Sequence, residues 1–103
     1  MKINNDYMTI EEKKEIALAF IKLEKEGRLP PHFKQDMRDG YKKRKKGCVD
    51  GAFFQKMEVR ISKGYISPTD EILIEIAVEL MLQYLKKVQE LKQELTFLLK
   101  NNQ

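Results

Sequence analysis

The stretch SPTDEILIEIAVELMLQYLKKVQELKQELTFLLK, residues 67–100, decides the architecture. It opens on a helix start. Ser67 can cap, Pro68 suits the first helical position, and Asp70 and Glu71 set negative charge against the positive end of the helix dipole. No Gly or Pro follows, so the spacing predicts one helix from Pro68 to about Lys100. Its first half, Ile72 to Leu82, is apolar nearly all round, with only Glu75 and Glu79 holding a wet edge, and must be packed on more than one side. Beyond it the apolar residues narrow to Met81, Tyr84, Val88, Leu91, Leu95 and Leu98. Their spacing of 3, 4, 3, 4, 3 makes a heptad seam, which Ala77 extends backward and Leu85 and Leu99 widen. A helix of about 33 residues spans roughly 50 Å, more than a domain of about 100 residues needs when its radius of gyration is near 13 Å. Either the first helix folds back along the far end, or a second copy covers it. The second is expected for Tyr84, Val88, Leu91, Leu95 and Leu98, because the first helix is short and must also cover residues 72–82.

Upstream, residues 1–8 read as irregular. Thr9 and Glu12 have capping-box spacing, and a helix follows to about Glu26, with Ile16, Phe20 and Leu23 on one face beside Ala17 and Ile21. Gly27 suits the left-handed residue that ends a helix, and Arg28-Leu29-Pro30-Pro31 is a stiff connector. A second helix is expected to start near Pro31, with Phe33, Met37 and Tyr41 as its apolar edge and Gly40 as a weak point. Residues 47–51 read as a turn. Asp50 is placed to cap a third helix of about 51–62, which turns Phe53, Phe54, Met57 and Ile61 inward and ends at Gly64. Nothing alternates with a period of two. The chain is therefore expected to be all-α: one helical domain over residues 1–103, with a core of residues 9–82 and a helix extending over 83–100.

The 103 residues include 42% hydrophobic and 35% charged side chains, a globular balance. Formal charge is −1 over residues 1–27, +7 over 28–63 and −2 over 64–103, so the middle holds the whole excess of +4. Within it, Lys42-Lys43-Arg44-Lys45-Lys46 places five cations in a row without an acid. Such a run resists burial and favours a polyanion, nucleic acid first. Cys48 is the single cysteine, which excludes an internal disulfide and fits a reducing compartment. The start of the chain is too polar for a signal peptide, and Glu75 and Glu79 interrupt the one long apolar stretch, so a cytoplasmic protein without a membrane partner is expected.

From Ile61 to Leu80 the chain resembles the end of the phage-repressor-like (Cro/Xre-type) helix-turn-helix domain. In that family the recognition helix ends in Ile, followed by Gly three residues on and Pro four after that; Leu, Ile-Ala and Leu come next at fixed intervals. Here these are Ile61, Gly64, Pro68, Leu73, Ile76, Ala77 and Leu80. The match covers residues 57–80, about a fifth to a quarter of the chain. The resemblance implies that residues 52–61 face a DNA groove, with Gln55, Lys56, Arg60 and Lys63 as contacts and Lys42–Lys46 gripping backbone.

The functional expectation is a small nucleic-acid-binding regulatory or accessory protein of the plasmid or phage type, acting as a homodimer on double-stranded DNA ahead of RNA. The alternative is a protein-protein adaptor or inhibitor that docks on an acidic or nucleic-acid-binding surface. Tyr41 and Phe53 flank the basic run but have core spacing. His32 is the only histidine and lacks a second ligand at zinc spacing, so no metal is expected. With no catalytic triad signature and no Gly-rich phosphate loop, neither an enzyme, a cofactor nor a small-molecule substrate is expected.

Overall fold

The computed structural model describes residues 8–45 and 47–101, so the expected irregular start over residues 1–7, and Lys46, lie outside the described residues. Among the described residues four helices follow one another: α1 (Ile10–Lys25), α2 (Phe33–Lys45), α3 (Phe53–Ser62) and α4 (Pro68–Asn101). No strand occurs among the described residues. The fold is a small all-α domain whose last helix, 34 residues long, is the longest.

Local chemistry explains most boundaries. Thr9 caps α1 by accepting from the Glu12 N–H at 3.1 Å, while its hydroxyl donates to the Glu12 carboxylate at 3.2 Å. Gly27 and Gly64, at φ 68° and 95°, close α1 and α3. At each, the next N–H turns back to a carbonyl five residues earlier: Arg28 to Leu23 at 2.9 Å and Tyr65 to Arg60 at 3.2 Å. Ser67 and Asp70 cap α4 reciprocally. The Ser67 hydroxyl accepts from the Asp70 N–H, and the Asp70 carboxylate accepts from the Ser67 N–H, both at 3.1 Å.

Two starts differ from expectation. Helix α2 begins at Phe33 rather than near Pro31, because His32 takes a left-handed φ of 64° and its carbonyl accepts from Asp36 at 2.8 Å. Asp50 does not cap α3 itself. Its carboxylate accepts from the Ala52 N–H at 2.8 Å and so shapes the preceding turn, while Ala52 stands at the N-cap.

One apolar core joins all four helices. Ala17, Phe20 and Ile21 come from α1, Phe33 and Met37 from α2, Phe53, Phe54, Met57 and Ile61 from α3, and Leu73, Ile74, Ile76 and Ala77 from α4. The rings of Phe20 and Phe33 stack at 5.7 Å. Helix α2 lies along α4, and α1 packs against both α3 and α4. Gly40 has a packing role where the sequence suggested only weakness: a Cβ there would sit 3.2 Å from the Ile76 side chain, so glycine lets α2 approach α4. Ion pairs lace the outside, with Lys13 to Glu71 at 3.3 Å and Lys25 to Glu58 at 2.7 Å.

The core stops at Met81. From Leu82 onward every described apolar side chain of α4 is exposed except Val88, which is half-buried. Helix α1 does not fold back along residues 84–99, so that intramolecular route to covering the seam is not taken. The protruding half stretches the molecule to 58 × 27 × 26 Å with a radius of gyration of 16.3 Å.

Candidate nucleic-acid interface

Lys42, Lys43, Arg44 and Lys45 of the basic run form the last turn of α2. An apolar side of that helix, Phe33, Met37 and half-buried Tyr41, faces the core, which turns positions 42, 43 and 45 to solvent. Lys42, Lys43 and Lys45 are exposed and make no ion pair among the described residues. Arg44 is different. Four residues beyond Gly40, it points back onto α4, where its guanidinium meets Glu75 at 3.6 Å and hydrogen-bonds Glu79. The two acids that break the apolar run of α4 thus receive Arg44.

Two of the contacts expected on α3 are also paired with the chain's own carboxylates. Lys56 pairs with Asp50, and that hydrogen bond, together with the Ala52 N–H, lowers the Asp50 pKa. Arg60 makes a two-pronged contact with Asp70, Nε at 2.7 Å and Nη2 at 2.6 Å. The Asp70 side chain has no accessible surface. Burial pushes its carboxyl up, but the Arg60 hydrogen bonds and those from Ser67 outweigh this and leave its pKa below the ordinary value. The same contact raises the pKa of Arg60. Arg60 therefore ties the end of α3 to the start of α4 and is not a free contact. Gln55 and Lys63 remain exposed. Phe53 is buried, with Lys34 Nζ 5.9 Å above its ring, so it offers no face to a base.

Both basic helices are anchored to the first turn of α4. Tyr41 Oη lies 3.5 Å from Thr69 Oγ1, and Arg60 holds Asp70. Two shallow clefts meet at Cys48 and Val49; Arg38 and Lys42 line one, Lys56 and Arg60 the other. Arg38 steadies this junction by donating to the Val49 carbonyl at 3.2 Å. Arg38 and Lys42 of α2 and Lys56 and Arg60 of α3 therefore line adjoining clefts beside the first turn of α4.

The positions that carry the helix-turn-helix resemblance take definite roles. Ile61 is buried, Gly64 closes α3, Pro68 opens α4, Leu73, Ile76 and Ala77 are buried, and Leu80 is half-buried. The exposed residues of α3 are Gln55, Lys56, Val59 and Ser62, with Lys63 exposed at its C-cap.

The seam residues Tyr84, Leu91, Leu95 and Leu98 are exposed, with Leu82, Leu85, Phe97 and Leu99 beside them. A groove of about 480 Å³ runs between the Pro30–Phe33 connector and α4, with Tyr84, Val88 and Leu91 on its α4 wall. No group of His, Cys, Asp and Glu among the described residues has a metal-binding arrangement, and no helix is long and apolar enough to cross a membrane.

Asp70 and the groove were missed by sequence reasoning. Asp70 read as a first-turn acid, and nothing in the linear order marks its burial. The Pro30-Pro31 pair was the only hint that a rigid wall would stand beside α4. Compared with protein-family models, curated proteins and solved structures, the chain matches none of them.

Proposed function

We propose that the chain is a non-catalytic nucleic-acid-binding accessory or regulatory protein, acting on double-stranded DNA as a dimer. One observation carries this reading: Lys42, Lys43 and Lys45 stand exposed on the last turn of α2, without a carboxylate partner among the described residues. An internal role would pair them, as Arg44, Lys56 and Arg60 are paired. The three lysines suit phosphate contact rather than base readout, since lysine acts as a point charge and phosphate contacts position a protein without reading sequence. Lys63 and Gln55 are the remaining free contacts of α3, the groove-facing helix of the helix-turn-helix resemblance. The exposed stripe of α4 supplies the dimer.

The exposed apolar stripe also favours a second reading, an adaptor whose α4 docks on another protein, and one titration separates the two. Labelled random-sequence duplex is mixed with protein over a range of salt. Three lysines on each of two protomers predict a log–log salt slope of up to about 5 in magnitude. The variant Lys42→Glu/Lys43→Glu/Lys45→Glu should lose duplex binding and keep its helical circular dichroism. No duplex binding by the wild type at low salt would reject the nucleic-acid reading and leave the adaptor.

A further inference from the structure

We infer that residues 81–98 of α4 pair with the same residues of a second copy in antiparallel orientation, Val88 lying opposite Leu91 of the second copy. The inference rests on the dimer part of the reading above and adds its geometry. In heptad terms Met81, Val88 and Leu95 occupy a, and Tyr84, Leu91 and Leu98 occupy d. The same line runs backward through Ala77 at d and Ile74 at a, and both are buried by the chain's own Ala17, Phe20, Met37 and Phe54. The globular head therefore overhangs the face that a partner must occupy.

That overhang decides between orientations. Paired helices lie about 8–10 Å apart. In a parallel pair both heads would crowd between the helices at the same level, just above Met81. In an antiparallel pair each head meets only the bare tip of the other helix. Sharing residues 81–98 uses the whole exposed stripe and ends where the core begins.

The flanking charges agree. Lys87 and Glu94 occupy g, and Lys92 occupies e. All three are exposed and make no ion pair among the described residues. Parallel pairing sets g against the following e, which brings Lys87 to Lys92 of the second copy, a repulsion made twice. Antiparallel pairing sets g against g, which brings Lys87 to Glu94 of the second copy, an attraction made twice. Antiparallel pairing also lays Leu99 against half-buried Val78, where parallel pairing would lay it against Glu94. The groove beside Pro30 and Pro31 then receives Leu95 of the second copy opposite Tyr84.

The two-fold axis passes between residues 89 and 90. The first turn of α4, which anchors the basic end, lies about 20 residues or roughly 30 Å from it. The two basic ends then stand about 60 Å apart, nearer to two turns of duplex than to one turn of about 34 Å.

Cross-linking in a Cys48→Ser background tests the orientation without nucleic acid. Antiparallel pairing predicts that Met81→Cys mixed with Leu98→Cys forms a disulfide-linked heterodimer. It also predicts that Leu98→Cys alone does not link, its two thiols being about 25 Å apart. Lys87→Glu should weaken dimerisation several-fold by sedimentation, and adding Glu94→Lys should restore it. Efficient linking of Leu98→Cys to itself, or tighter association of Lys87→Glu, would overturn the orientation and leave the dimer. A wild type that sediments as a monomer throughout would overturn both, while the duplex titration would still judge the basic surface separately.

Discussion

Replacing Arg60 with alanine should unfold much of this protein's margin of stability and show that Arg60 is structural. Asp70 is fully buried, and Arg60 gives it two charge-assisted hydrogen bonds of 2.7 and 2.6 Å, with Ser67 N–H supplying a third contact at 3.1 Å. Arg60→Ala leaves the carboxylate in place with its charge uncompensated. Stranding one member of a buried ion pair costs about 3–5 kcal/mol, a large share of the ~5–15 kcal/mol that holds a domain of this size. The converse change is milder. Arg60 keeps a quarter of its side-chain surface in water, so in Asp70→Asn the guanidinium can rehydrate, and a loss of about 1–3 kcal/mol is expected. Urea denaturation followed by circular dichroism at pH 7 reads both. The folded-state pKa of Asp70 lies below the ordinary value of 3.8. Its contribution is therefore present above that value and is lost as pH falls through the lower folded pKa. The stability gap between wild type and Asp70→Asn should accordingly narrow in acid below 3.8. If Arg60→Ala is as stable as wild type and binds duplex less tightly, the side chain is a contact and the reasoning is wrong.

Three further outcomes follow from the packing. Leu91→Asp with Leu95→Asp should give monomers by sedimentation with no loss of the core, because the two side chains are 57% and 60% exposed in the single chain; a less stable monomeric head would contradict this. Gly40→Val should destabilise by about 1–3 kcal/mol through overpacking against Ile76, where even a Cβ meets a methyl at 3.2 Å, and Ile76→Ala in the same chain should recover part of it in the same urea assay. Arg44→Gln removes a half-exposed pair with Glu75 and Glu79 and should cost no more than about 1 kcal/mol, while the salt slope of duplex binding stays unchanged if Lys42, Lys43 and Lys45 carry that contact.

The linear order of residues was enough to determine the helices. Caps, closing glycines and apolar period act over three to five neighbours, so Thr9, Gly27, Gly64 and the Ser67–Asp70 start were readable before any helix was placed, and so was the long final helix with its uncovered heptad stripe. The exceptions were local too: a left-handed His32 delayed α2, and Asp50 served a turn instead of a cap. Which cations remain free was decided only by tertiary structure. Arg44 finds its carboxylate 35 residues away and Arg60 finds Asp70 across a turn, because ion pairing depends on where helices cross, and no short-range period encodes that. Among the described residues the basic run therefore divides into Arg44, held on α4, and Lys42, Lys43 and Lys45, left in water.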